Sequence, residues 1–321
     1  MTKKIKLALF SFFKSTYNVL KKTPLRKIPG MLNLSNVFFR AFWPIGNIID
    51  VQGIKMYINV NDPNRALRET FQGYGMNLIH EETTTKLFKD VVRPGNVVID
   101  LGANIGYFTL LAAKLVGETG KVFSFEPEPS NFYYLQKNIK INDFNNAVAF
   151  QKAVSNKNGE TSLFVCTYDS GHHTINQSGG IEAYRHGRSG RTKKISIETV
   201  ALDDFFEGKI DRVDILKIDV EGAEAIAIEG MEKILMNNRN IKIFLEFFPL
   251  LINEMGNSPK KLINDLINKY QFSIFVIGHD YDMENSQSLL NRINNYEELA
   301  TLIKNKADHV NLYLMRETKS I

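Results

Sequence analysis

The run Ile99 to Gly106, IDLGANIG, constrains this chain more than any other stretch of its 321 residues. Pro94-Gly95 is a turn signal, and Val97 to Asp100 then reads as a buried strand. Past Gly106, Tyr107 to Leu115 is apolar and Ala-bearing at helical spacing, which predicts a helix opening near Gly106. Strand, glycine-bearing turn and helix in that order belong to an open parallel sheet, and ligands bind at the carboxyl edge where such turns lie. Gly102 and Gly106 let the backbone turn tightly and come close to a ligand.

The spacing of the turn separates ligand classes. A dinucleotide fingerprint, G-x-G-x-x-G, sets a pyrophosphate on the helix N-terminus. Here the turn reads Gly-Ala-Asn-Ile-Gly, with Ala where the dinucleotide turn wants Gly. Asp100 stands just ahead of it, and a carboxylate there repels a pyrophosphate while suiting a cationic ligand. S-adenosylmethionine carries an ammonium, a sulfonium and no phosphate, so Asp100, Gly102, Asn104 and Gly106 form a candidate set for that cofactor.

A second motif supports the first. Lys121 to Phe125 is a run of β-formers, and Glu126 ends it. An acid roughly 20 residues beyond the glycine turn is where a doubly wound fold binds two ribose hydroxyls. Pro127 and Pro129 stop the strand, Ser130 is the expected N-cap of a helix over 131–141, and Glu128 reads as an exposed loop acid.

Three runs together carry a family resemblance: IDLGANIGYFT, FSFEPEPSNFYYLQKNI, and LKIDVEGAE at Leu216 to Glu224. The chain resembles the FkbM family of S-adenosylmethionine-dependent methyltransferases over roughly Gly73 to Gly278. The resemblance implies an α/β, class I methyltransferase, Rossmann-like fold: a mostly parallel seven-stranded sheet with helices on both faces. It also implies O-methylation of a sugar or another hydroxylated metabolite.

Composition sets the outer bounds. With 44% apolar and 23% charged residues, the chain is ordinary for a globular protein and long enough for one large core. A single cysteine, Cys166, excludes an internal disulfide framework and a Cys-rich zinc site, and it reads as a small core residue. The net charge of +5 conceals an asymmetry. Nine Lys or Arg and no acid precede Asp50, leaving 31 basic and 35 acidic residues in the remainder. No basic stripe runs through the body, so no nucleic-acid partner is expected. In residues 1–43 the lysines surround apolar clusters such as Phe10, Phe12 and Phe13, then Phe38, Phe39, Phe42 and Trp43. The stretch Leu7 to Phe13 is too short to span a bilayer. Two readings stand: a segment lying on an anionic membrane surface, or helices packed on the catalytic domain or a second subunit. A cytoplasmic protein, peripheral on the inner face of a membrane in the first case and oligomeric in the second, is the corresponding expectation.

The organisation follows as a basic, apolar helical segment over 1–45, a strand-helix lead-in over 46–92, and a Rossmann-like domain over 93–321. In the lead-in, 47–60 holds two short strands around Gln52-Gly53, and 64–92 is helical in two pieces. The seven core strands fall at 97–101, 121–125, 147–151, 213–218, 241–246, 272–277 and 309–315. The expected helices cover 106–116, 130–141, 222–236, 258–270 and 295–305. Strand three is expected to enter a hairpin at Asn158-Gly159 with 161–167, and 195–200 forms a further strand. Ala153, just past strand three, joins the cofactor-binding candidates. The long loop Tyr168 to Lys194 carries three of the six histidines and is the candidate substrate lid, with His172 and His173 as possible bases.

Strand four ends in Asp219 and strand five in Glu246, so both carboxylates are expected at the cleft beside strand one. An apolar strand end is a costly place for a charge unless it is paired or used. Oxygen methylation needs a base for the hydroxyl or a metal that acidifies it. Asp219 with Glu246 suits either, and oxygen ligands would suit magnesium. Glu224 and Glu221 read as acids at the N-terminus of the next helix. Besides the sugar O-methyltransferase, whose acceptor is free or glycan- or lipid-linked, two functions remain open. One is an NAD-dependent oxidoreductase, against which the missing dinucleotide fingerprint speaks. The other is a non-catalytic binding protein on a methyltransferase fold.

Overall fold

The computed structural model describes residues 5, 8–10, 12, 41, 43, 47–62, 64–75, 80–166, 170–175, 192–278, 290–303 and 308–317. The chain forms two compact units, 1–79 and 80–321. Most of the N-terminal segment over 1–45 and the loop residues 176–191 lie outside the described residues, so the helices and membrane contact expected of the first fall outside them too. Among the described residues no helix is long and apolar enough to cross a membrane.

In the first unit, β1 (Ile48–Val51) and β2 (Ile54–Tyr57) form an antiparallel hairpin. Gln52 and Gly53 both have positive φ, 57° and 76°, the backbone that a two-residue turn needs to match the strand twist. Phe10 packs edge-on to Trp43 with ring centroids 5.2 Å apart. Helix α1 (Arg65–Gly75) follows.

The second unit is built on an eight-stranded sheet. Its parallel part consists of β3 (Val97–Leu101), β4 (Lys121–Phe125), β5 (Ala147–Phe150), β9 (Ile215–Ile218) and β10 (Lys242–Phe247). Then β13 (Val310–Met315) runs antiparallel to β10 and to β11 (Ser273–Ile277). The seven expected strands are all present. The eighth, β12 (Leu290–Ile293), extends the edge beside β11, and its short polar sequence LNRI gives no alternation to read. Residues such as Val98, Ile99, Leu216, Ile218, Leu312 and Leu314 are buried on both sides of the sheet, as a layer covered on two faces requires. The helices are α2 (Glu82–Val91), α3 (Tyr107–Val116), α4 (Pro129–Ile141), α5 (Leu202–Phe205), α6 (Glu224–Glu229), α7 (Glu232–Asn237), α8 (Pro249–Glu254), α9 (Pro259–Asn264) and α10 (Tyr296–Leu302).

Three expectations are corrected. First, β6 (Ala153–Val154), β7 (Gly159–Cys166) and β8 (Thr192–Val200) make a separate three-stranded sheet. β7 pairs antiparallel with β8, from Gly159 opposite Thr199 to Cys166 opposite Thr192, and not with strand three. The long loop therefore closes a hairpin. Second, the helix over 222–236 breaks at Gly230. A Cβ there would collide with the Ser155 carbonyl, and the Asp203 carboxylate caps the restarted helix by accepting from Lys233 N and Ile234 N. Third, α9 passes into a π-turn over Asp265–Lys269 where one continuous helix over 258–270 is expected.

Candidate active site

The carboxyl ends of β3, β4, β9 and β10 meet along one edge, and backbone bonds lock their continuations. Gly102 N and Ala103 N both donate to Phe125 O, and Asp219 N donates to Leu101 O at 3.0 Å. Gly102 has φ 76°, and a Cβ built on it would penetrate the carbonyl of Asp219. Glycine is demanded here so that the turn after β3 can press against the turn after β9. Gly106, φ 102°, leaves room for Leu135: a Cβ would lie 2.8 Å from Leu135 Cδ1. The carboxylate of Asp100 is buried and accepts from Thr109 Oγ1 at 2.6 Å, which ties β3 to α3. Burial raises its pKa to about 6 against the opposing hydrogen bond from Thr109.

Asn104, at φ 50°, turns its N–H onto Glu126 Oε2 at 2.8 Å. Glu128 N donates to Glu126 Oε1 at 2.9 Å. Each oxygen of Glu126 so receives one backbone donor and keeps further acceptor capacity. Burial pushes its pKa up to about 8 despite these bonds. Glu128 is not the exposed acid expected: it is buried, and its Oε2 accepts from Asn131 N at 2.7 Å. It replaces Ser130 as the N-cap of α4, because Pro129 occupies the first helical position and moves the cap two residues earlier.

The described part of the candidate lid, 170–175, lies on this turn. The Ser170 carbonyl accepts from both Asn104 Nδ2 and Asn131 Nδ2 at 3.0 Å. Thr174 Oγ1 donates to Glu221 O at 2.8 Å. His173 Nδ1 accepts from Cys166 N at 3.0 Å, anchoring the segment to β7, with His172 beside it. Ala153 lies in β6, in a small apolar cluster with Leu163, Val165 and Ile197.

Across the edge, the sequence reading missed the central group. Lys217, only 2% exposed in the middle of β9, donates to Asp219 Oδ2 at 2.9 Å and sits 4.8 Å over the Phe108 ring. Burial pushes its ammonium toward neutrality, but Asp219, Glu81, Glu246 and Asp100 outweigh that and hold it charged. A lysine interrupting an apolar strand two residues before an acid was the available signal. Burial pushes Asp219 up, yet Lys217 and a hydrogen bond from Glu246 bring it down to about 2. Glu246 moves the other way, well above the carboxylate range, through burial and the nearby charges of Asp219 and Glu221. The pair so behaves as one carboxylate and one acid. His309 Nε2 lies 3.2 Å from Glu246 Oε1, its ring tilted against Phe248. Asn311, opposite Glu246 in the ladder, donates to Glu81 Oε2 and to Thr84 Oγ1, both at 3.0 Å. Glu224, fully buried, accepts from Gly222 N and is raised by burial to about 8.

Carboxylate oxygens of Asp219, Glu221 and Glu246 come within 4.8 Å of one another. They do not fit a divalent ion. The Lys217 ammonium already occupies the charge-compensating position on Asp219 Oδ2, 2.9 Å away, where a second cation would be repelled.

The family model of the methyltransferase FkbM domain matches residues 100–274, more than half of the chain. The chain belongs to the FkbM methyltransferase family. This FkbM methyltransferase is 29% identical over 178 residues to methyltransferase sdnD of Sordaria araneosa, spanning 48% of this chain and 68% of the relative. It is 24% identical over 216 residues to the 2-O-methyltransferase NoeI of Sinorhizobium fredii, spanning 64% and 86%. It is 23% identical over 159 residues to the hexuronic acid methyltransferase AglP of Haloferax volcanii, spanning 49% and 59%.

An S-adenosyl donor fits the first half of the site. Glu126 offers two carboxylate oxygens at the end of β4, each already oriented by a backbone N–H, to a pair of vicinal hydroxyls. Burial holds the Glu126 pKa at about 8, and hydroxyls bonding to it would favour the ionised form. The FkbM methyltransferase thus has a carboxylate oriented by two backbone N–H groups on one side of the edge and a lysine-held carboxylate on the other.

Proposed function

We propose that the chain is an S-adenosylmethionine-dependent O-methyltransferase whose acceptor is a hydroxyl of a saccharide, free or within a glycan or lipid-linked intermediate. The observation carrying this reading is the division of the strand edge between Glu126, prepared for ribose hydroxyls, and the Asp219–Glu246 pair, prepared for the acceptor. The relatives named for 2-O-methylation and for a hexuronic acid support a hydroxylated, sugar-like acceptor.

When bound, the donor supplies an electrophilic methyl group, so the protein's tasks are alignment and proton removal. Glu126 holds the ribose while Asn104 and Asn131 keep Ser170 against the turn, closing one side of the cleft. Asp219, aimed by Lys217, stays ionised and accepts a hydrogen bond from the acceptor hydroxyl. Glu246 stands beside it as the acid whose proton can move.

Calorimetric titration of the full chain with S-adenosylhomocysteine and with NAD tests the donor. Binding of the first and not the second is expected; the reverse would establish the oxidoreductase reading, and binding of neither the non-catalytic one. Incubation with labelled S-adenosylmethionine and a panel of methyl glycosides, read by mass spectrometry, tests the acceptor.

A further inference from the structure

Strand β13 runs opposite to both strands it pairs with, β10 and β11, and this decides what stands at the acceptor edge. Because β13 is antiparallel to β10, Val310 pairs with Phe247 and Asn311 with Glu246. Its first residues, not its last, arrive beside the carboxyl ends of β9 and β10. His309 comes with them. Its Nε2 lies 3.2 Å from Glu246 Oε1, and its ring rests against Phe248 with centroids 5.1 Å apart. Glu246 is in turn hydrogen-bonded to Asp219, and Asp219 to Lys217. Ammonium, carboxylate, acid and imidazole therefore form one chain across three adjacent strands. Side-chain exposure is 23% at Asp219, 9% at Glu246 and 15% at His309, so the stretch from Asp219 to His309 touches the surface at both ends and is buried at its middle, while Lys217 beyond Asp219 is buried.

We propose that His309 is the final proton acceptor of the reaction, taking through Glu246 the proton that the acceptor hydroxyl gives up. The proposal rests on the O-methyltransferase reading. The hydroxyl oxygen gains the methyl carbon as the carbon–sulfur bond breaks, and that bond's electron pair stays on sulfur. The hydroxyl's O–H bond breaks, and its proton enters the Asp219–Glu246 pair. Glu246 releases a proton to Nε2 of His309, in the tautomer that carries hydrogen on Nδ1. The resulting imidazolium delivers the proton to solvent, so one hydroxyl proton leaves per methyl transferred.

The need for such an exit follows from the pair itself. Two carboxyls in contact hold one proton between them because both cannot ionise cheaply side by side. A second proton retained there would leave Lys217 next to two neutral acids, an unfavourable state for a buried ammonium. The imidazole in contact with Glu246 relieves it. The titratable and charged groups around the dyad are Asp219 and Glu221 after β9, Lys217 within β9, Glu81 and the His80 imidazole paired with it at 3.3 Å ahead of α2, and Asp308 next to His309. The acids among them favour the imidazolium once it forms. Since it acts through Glu246, His309 is a positioning and relay residue.

The decisive measurement needs no acceptor. Long-range proton–nitrogen NMR of the nitrogen-labelled full chain follows each imidazole with pH, and His309→Gln assigns the signal. Where Glu246 loses its raised proton, the His309 nitrogen shifts should show a second inflection at higher pH than that of the imidazole itself, and Glu246→Gln should abolish it. His309 shifts without that inflection, or with one that persists in Glu246→Gln, overturn the relay. With methyl glycosides of hexoses and hexuronic acids, His309→Gln should lower kcat roughly 100-fold while KM and S-adenosylhomocysteine affinity stay put. Added imidazole should restore part of the turnover of His309→Ala. Wild-type kcat in His309→Gln also overturns the relay. If the wild-type chain methylates none of these glycosides, the saccharide reading fails separately and the NMR result alone decides the dyad.

Discussion

Gly102 and Asp219 follow different strands and lie 117 residues apart, yet the carbonyl oxygen of Asp219 occupies the space that a side chain on Gly102 would need. The turn after β3 and the backbone after β9 are thus set by one close approach. Gly102→Ala must both displace that carbonyl and adopt φ 76° with a Cβ. It should destabilise the fold by roughly 2–5 kcal/mol, combining backbone strain with overpacking. Urea denaturation measures this, and a stability equal to wild type would show that the two turns do not need their contact.

Glu126→Ala should leave the fold intact and weaken S-adenosylhomocysteine binding about 10- to 150-fold, the loss of charge-assisted bonds worth roughly 1.5–3 kcal/mol. Wild-type binding near neutral pH should also release protons, because ribose hydroxyls stabilise the ionised form of a carboxyl that burial has raised to about 8. Calorimetry in buffers of different ionisation enthalpy reads that release directly, and its absence would remove the ribose role.

The ligand-free protein should be more stable in mild acid than in mild base. Burial raises Glu126 and Glu224 from 4.5 to about 8, so over that interval the folded chain keeps protons that the unfolded chain has lost. Stability contributed this way is full below the unfolded value and declines as pH rises toward about 8. Asp219 acts oppositely but only at low pH: its contribution is present above 3.8 and is lost as pH falls toward about 2. Thermal melts at about pH 5.5 and about pH 8 should show the higher midpoint at the former, and Glu224→Gln should narrow the gap.

Lys217→Met should destabilise the chain by roughly 3–5 kcal/mol, because it leaves carboxylates buried without their cation. The double variant Lys217→Met, Asp219→Asn should lose less than the sum of the two single changes. Asp219→Asn alone should keep donor affinity and reduce turnover, since the amide is a weaker acceptor for the hydroxyl. Additive energies in this cycle would mean that the 2.9 Å contact contributes nothing specific.

Asn104→Ala should loosen the segment 170–175. It removes the bond to Ser170 O and leaves a non-glycine residue at φ 50° without the side-chain bond its Oδ1 accepts from Ile105 N. Faster amide exchange at Gly171 to Ile175, with unchanged exchange in β3 and β4, is the expected signature.

The parts of this protein legible in its sequence are those made by contiguous residues. The glycine turn, the strand ending in Glu126, the apolar strands of the sheet and the carboxylates Asp219 and Glu246 each announce themselves through local pattern, because strand burial and turn chemistry act over a few residues. Glu128 departs from the exposed acid expected because Pro129 shifts the cap by two positions, a detail below the resolution of pattern. The hairpin of β7 with β8 was missed because partner choice across a long loop has no local signature. Lys217 stood in plain view within LKIDVEGAE, but its partners Glu81, Asp100 and Glu246 come from other strands and from the approach to α2. His309 became part of the site only because β13 enters the sheet reversed, which delivers the start of that strand to an edge where all its parallel neighbours deliver their ends. Sequence spacing determined which residues form each strand and turn; the pairing and direction of distant strands decided which of their side chains meet, and the charges of the acceptor site depend on that meeting.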